Sequence, residues 1–299
     1  MNSFVELCQK IDCRYIENAP LSEYITFKVG GPCEVMCFPE TEAQIADILK
    51  FLISENKNYF VIGKGSNLIA YDEGYEGIII NTCDFDYVEF EDACTVSCTS
   101  GYSLTKLCRD ALEHSLTGLE FAFGIPGSVG GAVDMNAGAY GGEIKDVIKS
   151  CRYIDKDGII KTYDNSDMNL SYRHSIFSDS EGLFILSATF TLAKGNPDEI
   201  KSKMDDLLGR RKSKQPLEYP SAGSTFKRPE GYFAGALIEE CDLKGAIVGG
   251  AMVSDKHAGF VINKNGATAA DIFSIIKLCQ DKVYNEKGVM LETEVKVIK

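Results

Sequence analysis

Tryptophan is absent from this 299-residue chain, histidine occurs only three times, and its eleven cysteines include no CxxC pair. The missing tryptophan decides nothing about function. The missing cysteine pairs, with no histidine at zinc-ligand spacing, leave no metal site to expect. The cysteines are scattered, with Cys33/Cys37 and Cys94/Cys98 four apart. They read mostly as reduced, small, buried hydrophobes. No stretch approaches the roughly 20 apolar residues of a membrane span. The opening MNSFVELCQK is too polar for a signal peptide. A cytoplasmic protein with no membrane partner is therefore expected. Positive charge is also in short supply: 31 Lys and Arg face 44 Asp and Glu, for a net charge of −13. That balance argues against nucleic acid, whose recognition rests on phosphate neutralisation, and favours solubility. Internal repeats and low-complexity tracts are lacking as well, and a monomer is expected.

What is present reads as α+β throughout. The length suggests about two domains, and 44% hydrophobic residues suffice for buried cores. Thr41 opens a helix through a capping box to Gln44, with Ile45, Ile48, Leu49, Leu52 and Ile53 on one face. Ser103 caps another, with Leu104, Leu107, Cys108, Ala111 and Leu112 at helical spacing. Strands follow at 147–154, 159–163 and 183–192, the first two joined by an Asp157-Gly158 turn. Gly195 to Asp198 is a breaker cluster and the candidate boundary between domains 1–195 and 196–299. An amphipathic helix with Ile200, Met204, Leu207 and Leu208 then leads into Gly209 to Lys214. A late helix spans about 268–287, stopped by Gly288, before a last strand at 289–298.

The most informative segment is Gly124 to Gly142, GIPGSVGGAVDMNAGAYGG, with glycine at seven of nineteen positions. Such a segment loses much conformational entropy on folding, which something must offset. Ile125, Val129, Val133 and Met135 set it apart from a polar linker. Backbone that approaches a large ligand closely, with N–H groups turned toward anionic oxygens, accounts for the missing Cβ atoms. A second glycine loop, Gly63-Lys64-Gly65-Ser66-Asn67, follows the apolar run Tyr59 to Ile62. It is not a GxGxxG fingerprint, because Leu68 stands three after Gly65, and no GxxxxGK[ST] loop occurs. Phosphate binding by these segments is thus expected from loops between strands, without a helix N-terminus. A third, smaller signal is Thr26 to Gly31.

Together the three loops resemble the FAD-binding domain of the UDP-N-acetylenolpyruvoylglucosamine reductase family. The likeness continues through Ser171-Tyr172-Arg173-His174-Ser175-Ile176-Phe177 and through Gln215-Pro216-Leu217 with Ala222 to Pro229. It extends to His257 to Asn263 and to Leu291-Glu292-Thr293-Glu294-Val295, in the family's order. The resemblance implies an FAD-binding domain of two small α/β lobes, split near 85–95, like that of the vanillyl-alcohol-oxidase flavoproteins. A C-terminal α+β substrate-binding domain would follow. It implies NADPH and FAD as cofactors, and reduction of UDP-GlcNAc-enolpyruvate to UDP-N-acetylmuramate for peptidoglycan synthesis.

Such a reduction needs a hydride source, a stabiliser for the developing aci-carboxylate and a proton donor. The resemblance supplies Arg173 as the clamp, suited to bidentate carboxylate recognition. Without the motif, Arg173 reads as a surface arginine in a turn. Glu294 is implied as its partner, with a raised pKa expected. Period-2 alternation puts Glu292 and Glu294 on one face and cannot choose between them. Ser224 is implied as the proton donor, acting through position rather than acidity; by itself it reads as a turn serine. The implied FAD contacts are Gly63, Gly65, Ser66, Asn67, Gly124, Pro126, Gly127, Ser128, Gly130 and Gly131, with Asn136 a further candidate. Lys214, Arg228 and Tyr140 are the implied substrate contacts, although Tyr140 reads equally as a flavin contact or as a packed, buried tyrosine. Arg210, Arg211, Lys212 and Lys214 form the basic cluster of an acidic chain, which reads equally as cations at a helix C-terminus. His257 is expected to be a structural hydrogen-bonding residue.

Two departures stand out. Only 51 residues separate Arg173 from Ser224, which leaves no room for the tyrosine-bearing loop of longer relatives. The FKNP of many relatives reads FKRP here. Two rivals remain open at this point: a flavin oxidase of the same cofactor fold, and a non-catalytic flavin- or UDP-sugar-binding protein. The first commonly tethers FAD through a histidine that GKGSNLI lacks. The second has no need of Arg173, Ser224 and Glu294 together.

Overall fold

A computed structural model describes residues 3–180 and 182–299. It divides into two compact units, described separately below. The first comprises Met1–Glu17, Val35–Lys64 and Gly77–Arg210; the second comprises Asn18–Glu34, Gly65–Glu76 and Arg211–Lys299. The division is not linear along the chain, as a single boundary near 195 expects. Two early segments, 18–34 and 65–76, fall in the same unit as the C-terminal third.

The first unit is built on a five-stranded antiparallel sheet. Its order is Ile160–Asp164, Ile148–Ile154, Phe184–Thr191, Thr95–Thr99, Val88–Phe90. The hairpin at Asp157-Gly158 forms as expected, with Asp155 Oδ1 accepting from the N–H groups of Asp157 and Ile159, both at 2.9 Å. Val96, Cys98, Cys151, Ala188 and Phe190 place the sheet's inner face in a core that also takes Leu104, Leu107, Cys108 and Ala111 from helix Leu104–Glu113. Ser103 stands at that helix's N-cap, but its side chain makes no capping bond. A smaller core forms where helix Glu42–Ser54 buries Ile45, Ile48, Leu49 and Leu52 beside Ile78 and Ile80, whose strand pairs in parallel with Tyr59–Ile62. The Thr41 capping box is present: Thr41 Oγ1 accepts from Gln44 N–H, and Gln44 Oε1 accepts from Thr41 N–H, both at 3.2 Å. The helix beginning at Pro197 ends at Lys214, within the Gly209–Lys214 stretch into which the amphipathic pattern leads. Ile200, Met204, Leu207 and Arg211 are buried along one face of it, so the buried stripe spans the glycine.

The second unit holds an antiparallel sheet of Ile247–Val248, Ala251–Val253 and Val261–Asn263. Against it lies helix Ala269–Lys287, burying Ile272, Ile275, Ile276, Cys279 and Val283. Gly288 ends the helix in the left-handed region (φ 68°), where its N–H reaches Tyr284 O and a Cβ would be strained. The expected strand over 289–298 is shorter. Only Lys296–Ile298 is a strand, in parallel with Leu68–Ala70, and Thr293 makes an isolated bridge to Phe226. Nine of the eleven cysteines are buried; Cys83 and Cys94 are half-buried. Among the described residues, no helix is long and apolar enough to cross a membrane, and no cluster of metal-ligating side chains occurs.

Candidate active site

In the first unit, strand Tyr59–Ile62 delivers Gly63 against the glycine-rich segment. A Cβ on Gly63 would overlap the Ser128 hydroxyl, so the two glycine loops meet only because that atom is missing. Ser128 is buried and extended (φ −97°, ψ 161°), and its Oγ accepts from Gly131 N–H at 3.4 Å. It thereby caps a helix, Val129–Asp134. This corrects the expectation that the segment is loop alone. Its glycines conceal helical periodicity, and the short apolar face of Val129, Ala132 and Val133 supplies it.

The candidate FAD contacts here now separate by what their backbone does. Val129 and Gly130 donate their N–H groups to the carbonyls of Tyr102 and Ser100, both at 2.8 Å. A Cβ on Gly130 would lie 2.7 Å from Ser100 Cβ, so that glycine is required by packing. Gly131 is exposed, and a Cβ there would make only an ordinary contact, 3.6 Å from Ser128 Oγ. Among the described residues, the N–H groups of Gly127 and Ser128 have no acceptor. Gly124 (φ 85°) and the exposed Pro126 form the turn before them. Ser100, which the motifs did not single out, carries a buried hydroxyl with no partner among the described residues. Its only sequence signal is the glycine that follows it. Free amides, an orphaned hydroxyl and a cradle that Cβ atoms would fill together fit a ligand rich in anionic oxygens.

Asn136 departs from expectation. It is fully buried, and its carboxamide is spent within the protein. Nδ2 donates to Ser171 O at 2.8 Å and to Glu143 Oε2 at 3.0 Å, while Oδ1 accepts from Lys145 N–H at 2.9 Å. No amide hydrogen is left for a cofactor. Arg173 sits half-buried in a tight turn closed by mutual backbone bonds between Ser171 and His174, both 3.1 Å. Tyr140 is exposed, at the turn between Gly138–Ala139 and Gly142–Glu143.

In the second unit, Asn67 and Glu294 come together beside Thr225, the chain neighbour of Ser224. Glu294 N–H donates to the carbonyl of Thr225, next to Ser224, at 2.8 Å. Asn67 Nδ2 donates to Glu294 O at 3.1 Å, and Lys296 N–H returns to Asn67 O at 3.0 Å. Buried Thr225 anchors this arrangement, its hydroxyl accepting from Val261 N–H at 2.9 Å. The two glutamates that alternation could not separate differ in setting. Glu292 is exposed and pairs with Lys227 at 3.6 Å, whereas Glu294 is half-buried. The bridge at Thr293 in place of a regular strand gives them different environments.

The Thr26–Gly31 signal also falls in this unit. Thr26 N–H donates to Gly65 O at 3.0 Å, and Thr26 Oγ1 to Ser221 O at 2.6 Å, tying one glycine loop to the segment that carries Ser224. Gly65 is left-handed (φ 63°), and a Cβ on it would lie 2.8 Å from Ile25 Cα. Among the described residues, the N–H groups of Gly65, Ser66 and Asn67 have no acceptor. Lys214 is exposed at its helix terminus. Exposed Arg228 places its guanidinium 4.6 Å from the Phe233 ring centroid. Arg211 is buried and donates to Gln215 Oε1 at 3.3 Å, which removes it from any exposed basic cluster. His257 is structural: its Nδ1 accepts from Gly259 N–H at 3.0 Å, and burial lowers its pKa.

An FAD-binding-domain family matches residues 33–164, which makes the chain an FAD-binding flavoprotein by class. The C-terminal domain of UDP-N-acetylenolpyruvoylglucosamine reductase matches residues 215–298. The reductase of Clostridium perfringens is 47% identical over 303 residues, covering 100% of this chain and 99% of the relative. That of Clostridioides difficile is 48% identical, covering 93% of this chain and 91% of the relative. The crystal structure of the Thermus caldophilus reductase superposes with a TM-score of 0.81 at 32% identity, covering 96% of this chain and 99% of that one. The chain belongs to the UDP-N-acetylenolpyruvoylglucosamine reductase family.

Proposed function

We propose that this protein reduces UDP-GlcNAc-enolpyruvate to UDP-N-acetylmuramate, with NADPH as reductant, in the cytoplasmic supply of peptidoglycan precursors. The observation that carries this reading is full-length similarity to curated reductases, with the family's candidate catalytic residue types at their motif positions. Bound FAD supplies the hydride. Arg173 binds the substrate carboxylate through two parallel N–H···O contacts and stabilises the charge that grows there as the enol ether is reduced. Glu294 shares that task, held by its backbone between Thr225 and Asn67. Ser224 Oγ gives its proton to the neighbouring carbon, by position in a water-poor site. Lys214 and Arg228 are the proposed cations for the UDP diphosphate, and Tyr140 a further substrate contact. Of the two stretches 1–195 and 196–299, the first is proposed to bind the cofactor and the second the substrate, with segments 18–34 and 65–76 of the first belonging to the same compact unit as the C-terminal third; the protein is proposed to act as a monomer.

The test is the visible spectrum of the purified protein under anaerobic conditions, with NADPH and then UDP-GlcNAc-enolpyruvate added. A flavin band that bleaches and then returns supports both half-reactions. Bleaching without return sinks the substrate assignment. A protein that neither carries nor takes up FAD sinks the proposal.

A further inference from the structure

The turn that presents Arg173 is strained. Arg173 adopts φ 55°, a left-handed conformation that non-glycine residues enter only at an energetic cost. Such a conformation persists where the surroundings over-determine it. His174 is gripped through both ring nitrogens, by Asn169 O at 2.9 Å and Asp179 Oδ2 at 2.6 Å. Ser175 is fully buried and donates to Asp134 O at 2.6 Å. These bonds fix the C-terminal side of the turn. The N-terminal side, Ser171, is held by the side chain of Asn136.

Asn136 is itself left-handed (φ 44°) and completely buried, in the middle of the glycine-rich segment. Its partners fix which end of the amide faces which way. A backbone N–H meets its oxygen, while a carbonyl and a carboxylate meet its nitrogen. The carboxylate belongs to Glu143, which also pairs with Lys145 Nζ at 2.8 Å. The Lys145 ammonium, the Asn136 amide and the Arg173 guanidinium all favour its charged form and lower its pKa. One buried amide therefore links an ionised carboxylate, the glycine-rich segment and the backbone of the arginine turn.

We propose that Asn136 is a positioning residue that acts through Arg173: with its amide oriented by Glu143 and Lys145, the bond it donates to Ser171 O sets the height and direction of the turn, and so the aim of the guanidinium. The proposal rests on the reading of Arg173 as the carboxylate clamp. A bidentate arginine loses its advantage when displaced by a fraction of an ångström, which is why a buried, fully bonded amide is suited to the task.

The test compares Asn136→Asp, which keeps the acceptor and the volume but loses both donors, with Asn136→Gly, which tolerates the positive φ. Each is made alone and with Arg173→Lys. Stopped-flow measurements follow flavin reduction by NADPH and its reoxidation by saturating UDP-GlcNAc-enolpyruvate. Retained FAD and the reductive rate report folding independently of Arg173. Both single variants should slow reoxidation at least tenfold while flavin reduction stays within about twofold. Adding either to Arg173→Lys should cost less than about twofold more. Equal tenfold losses in both backgrounds, parallel slowing of both half-reactions, or reoxidation unchanged by the Asn136 variants would each overturn the proposal. If Arg173→Lys by itself leaves reoxidation intact, the clamp reading fails, and the positioning role with it.

Discussion

Gly130 and Gly131 are consecutive, both lie in helix Val129–Asp134, and opposite outcomes are expected when each becomes alanine. In a helix, Gly→Ala alone gains up to about 1 kcal/mol. At Gly130 the new Cβ would lie 2.7 Å from Ser100 Cβ, 3.1 Å from Ser100 O and 3.3 Å from Ser100 Cα. Ser100 cannot yield easily. It is buried, its N–H donates to Leu186 O at 2.8 Å, and its carbonyl accepts from Gly130 N–H at 2.8 Å. Overpacking of this kind costs about 1–3 kcal/mol. Gly130→Ala should therefore lose about 1–2 kcal/mol net. At Gly131 the nearest atom is 3.6 Å away, so the propensity gain is unopposed and stability should hold or rise. If its backbone faces the cofactor, FAD affinity should fall. Urea unfolding of the apoprotein and FAD titration by flavin fluorescence separate the two effects. Ser100→Gly in the Gly130→Ala background should recover more than half of the loss. A Gly130→Ala protein as stable as the parent would refute the packing argument, and with it the sorting of these glycines.

Three further outcomes follow from the same geometry. Glu294→Gln should slow substrate-driven flavin reoxidation more than tenfold. Glu292→Gln, which breaks only an exposed pair with Lys227, should leave turnover unchanged and shift stability by less than about 0.5 kcal/mol; steady-state assays and urea midpoints check both. Ser224→Cys should retain more activity than Ser224→Ala, and equal loss in both would count against proton donation by that side chain. Burial lowers the His257 pKa, so below about pH 6.5 the unfolded imidazole takes up a proton that the folded one resists. Stability should fall as pH drops through that range and be flat above it. His257→Asn should lose part of that slope in urea titrations at stepped pH.

Much of this protein was legible in the residues because it is local. The Thr41 capping box, the turn at Asp157-Gly158, the left-handed stop at Gly288 and the helical stripes each depend on a few neighbouring side chains. The motif order was enough to suggest the family before any distance was known. Other features were hidden because they depend on partners far along the chain. A helix inside GSVGGAVD has almost no local signal, because its apolar face is only three residues long.

Fold class, family and the identity of the candidate chemical groups are readable from residue types and their order. What each group is free to do depends on how the chain folds. The fold spends the amide of Asn136 on Ser171 and Glu143, spends Gly130 on Ser100, and leaves the N–H groups of Gly127 and Ser128 without acceptors among the described residues. It separates Glu292 from Glu294 by burial. A hydrogen-bonding group is defined by its partner, and that partner can be remote in the chain: Asn67 and Glu294, bonded to each other, are 227 residues apart.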